Sequence, residues 1–207
     1  MYRPSAFAVD DVAILHGIIR ERVFATIAAI RDGAIAFAHA PVVVDPANGP
    51  HGGIRFHLAL RNPLAALEDG DRVWMSLQGP DAYVSPDWYK TIVTVPTWNY
   101  IAVEGEGAVR RLSRDELRAL LVDLSATEEA KLLPKKPWTI DKVPEARTEA
   151  LMNIIVGFSL PFERFEGKFK LSQDKSSEDI DGVIAGLDAC GDAASLAVAR
   201  AMRKGTR

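Results

Sequence analysis

Residues 23–44, VFATIAAIRDGAIAFAHAPVVV, contain the most informative secondary-structure pattern of the chain. A strand-like run at residues 23–30 is followed by Asp32-Gly33, a strong hairpin signal because both residues accept positive φ angles. A second strand is predicted from Ala34, and it continues beyond Pro41 into three valines. The stretch therefore predicts an antiparallel hairpin of two strands.

Strand and helix signals continue on both sides of this hairpin. Strands are predicted at residues 54–60 and 72–77, and at 97–112 as one long strand or a hairpin bent at Gly105 and Gly107. Residues 154–171 are predicted to form a strand pair with Pro161 at an edge or a bend. Helices are predicted after Asp10-Asp11, at Asn62-Pro63, after capping boxes at Ser113–Glu116 and Ser125–Glu128, and at residues 144–153, 180–187 and 192–202. Residues 79–96 have the composition of an irregular loop that is rich in aromatic side chains.

The connections between the strands decide the fold class. They are too short for parallel crossovers, which need a dozen or more residues. We therefore predict an α+β, mainly antiparallel fold: a small barrel in residues 1–175 with inserted helices, and a helical tail at residues 176–207 that packs on the same domain.

Composition excludes several classes of protein. The chain has 207 residues, 48% of them hydrophobic, which is enough to bury a core, so disorder as the main state is excluded. Cys190 is the only cysteine, which excludes a disulfide scaffold, and the histidines lack metal-ligand spacing. Because the chain has 25 basic and 28 acidic residues, binding of nucleic acid by bulk charge is not expected. No secretory signal and no apolar run long enough to span a membrane are visible, so a cytoplasmic protein is expected.

Two segments contain residue types that suit a ligand, and each has an alternative explanation. Arg61 precedes Asn62-Pro63, where a helix start could bind a phosphate, or could simply be a helix start beside a surface arginine. The aromatic residues of 79–96 could form the wall of a flat ligand site, or a small hydrophobic cluster under the loop.

A family resemblance rests on eight separated motifs in one order. They are Phe24-Ala25-Thr26, Ala38-His39-Ala40-Pro41, His57-Leu58-Ala59, Asn62-Pro63, residues 78–86 (QGPDAYVSP), Trp88-Tyr89, residues 95–100 (VPTWNY) and residues 168–173 (KFKLSQ). The chain resembles, from Tyr2 to Leu187, the PaiB-like family of FMN-binding split-barrel proteins, which are described as negative transcriptional regulators.

The resemblance implies a fold, a cofactor and an assembly. The fold is a split β-barrel of the pyridoxamine 5′-phosphate oxidase type with flanking helices, in a homodimer with FMN at the subunit interface. Carried onto this sequence, the resemblance implies phosphate contacts for Arg61 and Asn62, and a place in the pocket wall for His39 and His57. It implies ring or dimer contacts for Tyr83, Ser85, Trp88, Tyr89, Thr97, Trp98 and Asn99, and closure of the site by Lys170 and Gln173.

The chain departs from the family pattern at three places, one of which is Asp174, where the family usually has Asn after Ser-Gln. Leu60 and Arg61 stand where the family usually has Arg followed by Ala, so the arginine is displaced by one residue along a predicted strand. Glu104 and Glu106 replace a histidine and an aromatic residue. A carboxylate near a phosphate weakens its binding by charge repulsion, so these positions bear directly on the cofactor.

Three functions follow from these residues. The first is an FMN-binding protein with a role in transcriptional regulation, and the alternative is a flavin-dependent oxidoreductase acting on a small molecule, for which no catalytic residue stands out. The third is direct DNA binding, which the net charge does not support. The basic clusters are Arg110, Arg111, Arg114 and Arg118, and Arg200, Arg203, Lys204 and Arg207.

Overall fold

The predicted hairpin is present in the computed structural model, which describes residues 1–205. Its strands pair antiparallel, from Phe24 opposite Pro41 to Arg31 opposite Ala34. Asp32 and Gly33 have φ angles of 52° and 76°, and two positive φ angles define the turn type whose twist matches a hairpin.

Six strands follow one another after the first α-helix, and most of the α-helices come later in the chain. The strands are β1 (Ala8–Val9), β2 (Phe24–Arg31), β3 (Ala34–Asp45), β4 (Gly53–Ala59), β5 (Arg72–Val84), β6 (Thr97–Ala108), β7 (Arg110–Arg111), β8 (Ile155–Pro161) and β9 (Arg164–Lys170). The helices are α1 (Val12–Arg22), α2 (Arg114–Ala130), α3 (Glu145–Met152), α4 (Ser177–Cys190) and α5 (Ala193–Gly205). Short 3-10 turns lie at Ser5–Phe7, Pro63–Ala66, Pro86–Trp88 and Ile140–Lys142.

The chain divides into two units, each built from separate stretches of sequence. The first unit contains Met1–Asp11, Gln78–Glu104 and the residues from Glu166 on, and the second contains Val12–Leu77 and Gly105–Phe165. The strand order is β1-β9-β6-β5 in the first unit and β5-β2-β3-β4-β8-β7 in the second. A division of the chain at residue 175 stays a prediction.

The second unit buries apolar side chains on both faces of β4. Phe56 of β4 packs on Phe158 of β8, with ring centroids 5.4 Å apart, and both rings are fully buried. On the other face, α2 covers the sheet with Leu117 and Leu120, which form a cluster with Met152. A capping box starts α2 as predicted: Ser113 accepts the N–H of Glu116, whose side chain accepts the N–H of Ser113.

Three predictions about elements are wrong. Residues 79–84 are not irregular but continue β5, and Ala82 and Val84 are buried in it. Ser125 does not start a second helix; its hydroxyl donates to the oxygen of Leu121 within α2. The strands at 154–171 do not pair with each other, because β8 pairs with β4 and β7 while β9 pairs with β1.

Of the two alternatives for residues 97–112, the long strand is the one that forms: β6 runs through Gly105 and Gly107 to Ala108. A Cβ at Gly105 would lie 2.3 Å from the ring of Phe162, and one at Gly107 would lie 2.0 Å from the oxygen of Pro161. Glycine is needed at both positions because neighbouring groups approach the backbone too closely for any side chain.

Candidate functional site

A cavity of about 270 Å³ in the first unit brings together several of the predicted site residues. It lies between the segment that follows β5, the start of β6 and the end of β9. Its lining consists of Phe7, Tyr89, Thr94, Val95, Pro96, Thr97, Lys170, Ser172, Asp174 and Lys175. We refer to it as the Lys170 cavity.

Lys170 provides a cation in this cavity. Its Nζ donates to the hydroxyl of Thr97 and to the backbone oxygen of Trp98, each at 2.7 Å. Burial lowers the pKa of this ammonium, because a charged group loses solvation inside the protein. A half-buried ammonium with a hydroxyl beside it is a suitable donor set for an anion.

Ser172, which follows β9, is held in an unusual backbone conformation at the cavity wall. Its φ angle is +62°, in a backbone region that residues other than glycine rarely adopt. Asn99 of β6, fully buried, donates from Nδ2 to the Ser172 hydroxyl at 2.9 Å and to the sulfur of Met202 at 3.5 Å. The Asn99 amide is therefore used inside the fold, and its predicted contact with a flavin ring stays a prediction.

The segment from Ser85 to Tyr89 contributes Tyr89 to the cavity lining. Ser85 caps the short 3-10 turn by accepting the N–H of Asp87 at 3.3 Å. Tyr89 is buried, with 8% of its surface exposed, and lines the Lys170 cavity. Trp88 instead packs against α4, close to Gly182 and Gly186.

Two predicted aromatic residues lie on the surface of the first unit. Tyr83 and Trp98 meet edge to face at a centroid distance of 6.2 Å, and they remain 45% and 54% exposed. Trp98 also borders a second hollow of about 330 Å³, with Gln78, Asp81 and Tyr100. Exposed rings of this size are typical of surfaces that contact a ligand or another subunit.

Gln173 does not line the cavity. Its side chain folds back on its own chain: Oε1 accepts the N–H of Leu171 at 2.7 Å, and Nε2 donates to the oxygen of Phe169. The residue therefore shapes the turn after β9, and its predicted closure of a site stays a prediction.

The second unit contains the two predicted histidines in different environments. His39 of β3 is exposed, and its Nδ1 lies 3.1 Å from the hydroxyl of Thr26, opposite it on β2. His57 of β4 is paired with Gly157 of β8, and its Nδ1 is buried with no hydrogen-bond partner among the described residues. Burial lowers the pKa of His57, so the neutral ring is favoured.

The predicted phosphate residues lie after β4 in the same unit. Asn62 caps the 3-10 turn, since its Oδ1 accepts the N–H of Leu64 at 2.9 Å. Arg61 is exposed, and among residues 1–205 no ion pair or hydrogen bond involves its side chain. Arg61 thus presents a guanidinium to solvent, where an anion could bind.

Of the 13 predicted site residues, Tyr89, Thr97 and Lys170 line the Lys170 cavity. Sequence reasoning missed Phe7, Thr94, Ser172 and Lys175, which line it too. Ser172 stands inside a motif that signalled the site, and its position next to Gln173 could have drawn attention to it. No sequence signal connects Phe7 to residues far along the chain.

The two glutamates that depart from the family pattern are neutralised by partners. Glu106 accepts hydrogen bonds from Arg164 at 2.6 Å, Arg72 at 2.9 Å and the indole of Trp74 at 3.2 Å. Arg164 lowers the pKa of Glu106, with a smaller contribution from Arg72. Glu104 lies 3.2 Å from the amino group of Met1. The expected repulsion of a phosphate by free carboxylates therefore does not follow from this arrangement.

The first basic cluster is also paired. Arg110 binds Glu116 at 2.7 Å, and Arg118 binds Glu145 at 2.6 Å. Arg111 donates to the backbone oxygens of Leu67 and Ala65 at 2.7 and 2.8 Å. These arginines are therefore bound to groups within the second unit. In the second cluster Arg203 pairs with Asp188, and Arg207 lies outside the described residues.

Sequence similarity to known proteins extends over most of the chain. Residues 1–164 match the sequence profile of a family described as "Putative FMN-binding domain". The chain is 32% identical to the protease synthase and sporulation protein PAI 2 of Bacillus subtilis over 189 residues, which cover 90% of this chain and 89% of that protein. It is 29% identical to an uncharacterized protein of Emericella nidulans over 243 aligned residues, which cover 99% and 97% of the two chains.

Solved structures show the fold. The FAD and heme binding protein of Mycobacterium smegmatis superposes with a TM-score of 0.58 at 16% identity, covering 84% of this chain and 78% of that one. The flavocytochrome Anf3 of Azotobacter vinelandii gives 0.53 at 15% identity, covering 79% and 69%. The predicted antiparallel split barrel with flanking helices is therefore confirmed. Among the helices of residues 1–205, none is both long and apolar enough to cross a membrane.

Proposed function

The chain belongs to the FMN-binding domain family, and from this membership we propose that it is a homodimeric flavoprotein that binds FMN at its subunit interface. The observation that supports FMN most is the Lys170 cavity, because it combines a half-buried cation with hydroxyl groups and aromatic walls.

The residues of this cavity fit the chemistry of FMN. Lys170 and the hydroxyl of Thr97 are donors for an oxygen of an anionic ligand, whereas the ammonium of Lys175 is paired at 2.9 Å with Asp174, which also lines the cavity. Phe7 and Tyr89 supply aromatic surface for a flat ring. When bound, FMN supplies one- and two-electron redox chemistry, while these side chains bind it, orient it and exclude water.

Two features of the described residues support a second copy of the chain: the size of the Lys170 cavity and an exposed apolar face. The cavity, at about 270 Å³, is slightly smaller than the roughly 300–1,000 Å³ typical of a site that encloses a whole ligand. In the second unit, the hairpin of β2 and β3 also presents an apolar outer face to solvent. Phe24, Ile30, Ile35 and Phe37 are 59–65% exposed there. Thr26 and His39 lie between Phe24 and the other three residues on this face. An exposed apolar face is typical of a subunit interface.

The regulatory role that the resemblance implies is proposed to act through the flavin-bound dimer rather than through DNA contacts of the first basic cluster. Arg110 and Arg118 are already paired with glutamates, and Arg111 with backbone oxygens. Neutralised arginines release few counterions on meeting a phosphate backbone, so they contribute little to DNA affinity.

Spectroscopy with mass measurement tests the proposal. The purified chain is titrated with FMN, and in parallel with FAD, while flavin absorbance after gel filtration and molar mass by light scattering are recorded. We expect a dimer that retains FMN in preference to FAD. A protein that retains neither flavin contradicts the cofactor assignment, and a monomer with bound FMN contradicts the interface.

A further inference from the structure

Helix α4 binds the segment before β6 through a buried carboxylate. Asp179, with 0% of its surface exposed, lies in the first turn of α4. Its Oδ1 accepts the backbone N–H groups of Lys90 at 2.6 Å and Thr91 at 2.9 Å, and its Oδ2 accepts the hydroxyl of Thr91 at 2.6 Å. Three donors from one short segment therefore converge on one side chain of the helix.

These contacts favour the ionised carboxylate. The hydroxyl of Thr91, together with the N–H groups of Thr91 and Lys90, lowers the pKa of Asp179 to about 2. The side chain is thus charged at neutral pH, and its buried charge is satisfied by the segment it binds. Without Asp179, two backbone N–H groups of that segment would lose their acceptor.

A second contact lies one to two turns further along α4. A Cβ at Gly186 would lie 2.3 Å from the indole ring of Trp88, and one at Gly182 would lie 2.1 Å from the Trp88 oxygen. Residues four apart share one face of a helix, so the two glycines form a flat surface on which Trp88 rests. Any side chain at Gly186 would displace the ring.

Tyr89 lies between these two anchors. On one side of it, Trp88 packs against the two glycines. On the other side, Asp179 accepts the N–H groups of Lys90 and Thr91. Tyr89 is buried and lines the Lys170 cavity. The placement of its ring therefore depends on how α4 binds its neighbours in sequence.

We infer that Asp179, Gly182 and Gly186 are positioning residues for the cofactor: α4 orders the segment 88–91 before FMN binds and so keeps Tyr89 in the wall of the Lys170 cavity. The inference rests on the proposed FMN site. Ordering a loop in advance strengthens binding because the ligand does not have to order it. It also assigns a role to α4, which lies beyond residues 1–164 of the family profile.

The test compares two substitutions at Asp179 in the full chain. Asp179→Ala removes every acceptor, and we expect FMN to bind about tenfold more weakly, with faster hydrogen exchange at the Lys90 and Thr91 amides. Asp179→Asn keeps one carbonyl oxygen for the two N–H groups and should restore most of the affinity. The dissociation constant is read from quenching of flavin fluorescence.

A matched control separates positioning from stability. Asp192 also accepts three hydrogen bonds, from Ala194 and Ser195 at the start of α5, and makes none with residues 88–91. Asp192→Ala should lower the melting temperature and leave the FMN dissociation constant unchanged. If Asp192→Ala weakens FMN binding as much as Asp179→Ala does, Asp179 acts through stability alone and the inference is wrong.

A substitution at Gly186, against which the Trp88 ring packs, gives an independent measurement. Gly186→Ala should weaken FMN binding and accelerate exchange at Lys90, whereas Gly17→Ala, where a Cβ has open space in α1, should change neither. If the wild type binds FMN and both Asp179→Ala and Gly186→Ala bind it with unchanged affinity, the inference about α4 is wrong. That result leaves the proposed function untouched. A wild type that binds no FMN overturns the proposed function, and the role of α4 toward the cofactor with it.

Discussion

Lys170 of β9 and Thr97 of β6 are joined by a hydrogen bond of 2.7 Å between Nζ and Oγ1, and both side chains line the same cavity. The two residues are 73 positions apart in the chain, and the sheet brings them together. An anion in the cavity would meet an ammonium whose position is already set by this bond. A preset donor gives more binding free energy than a mobile one, because less side-chain entropy is lost.

Replacing this ammonium should weaken FMN binding. Lys170→Met removes the charge and keeps most of the apolar stem. A hydrogen bond to a charged group contributes about 1.5–3 kcal/mol, so we expect a dissociation constant about 10- to 150-fold higher. Fluorescence titration measures it. Lys136→Met, at an exposed lysine, should leave the affinity unchanged, and equal affinity in both variants would exclude Lys170 as a ligand.

The regular parts of the fold were predictable because they depend on residues close in sequence. The Asp32-Gly33 turn and the Ser113–Glu116 capping box are local signals, and both formed as expected. Gly105 left a hairpin bend open as an alternative to one long strand, because glycine in a strand pattern often marks a bend. In the structure it is needed for the approach of Phe162, which is distant in sequence and invisible to a local pattern.

The candidate site was only partly predictable for the same reason. Lys170 and Thr97 belong to motifs, whereas Phe7 reaches the cavity through the tertiary fold. Polar residues in motifs also serve the core: Asn99 binds Ser172 in the interior, and His57 has its Nδ1 buried. Sequence alone does not separate a polar residue that binds a ligand from one that satisfies a buried neighbour.

The outer face of the β2–β3 hairpin should form the dimer contact. Phe37, 59% exposed, lies opposite Ala28 in this face. Phe37→Glu would bury a charge in each copy at the interface, which costs several kcal/mol, so we expect dimer affinity to fall about 100-fold or more. Sedimentation velocity over a range of concentrations measures the change. Leu133→Glu, at a leucine 64% exposed elsewhere in the second unit, is the control and should remain dimeric.

Arg111 should matter for stability and not for DNA. Its guanidinium donates to the oxygens of Leu67 and Ala65, and Arg111→Ala would leave both without this donor. We expect a loss of about 1–3 kcal/mol in the free energy of unfolding by urea. Arg110→Ala, which breaks only an exposed pair with Glu116, should cost about 0–1 kcal/mol. A salt-sensitive DNA mobility shift abolished by either substitution would contradict this role.

His57 should make the fold sensitive to mild acid. Burial lowers its pKa in the folded protein below the value of about 6.5 found in an unfolded chain. The unfolded state therefore binds a proton first as the pH falls. The stability that depends on the neutral ring is fully present above pH 6.5 and is lost as the pH falls through the folded pKa.

Substitution at this position isolates the contribution of His57. His57→Leu removes the titrating ring and the unpartnered Nδ1, and we expect its urea midpoint to fall less between pH 8 and pH 5 than that of the wild type. His16, whose pKa is also lowered by burial, still titrates in the variant, so some pH dependence should remain. At pH 8 both histidines are neutral in either state, so any difference there reports packing and the removal of the buried Nδ1. Parallel curves for the two proteins from pH 8 to pH 5 would show that His57 is protonated equally in the folded and unfolded states.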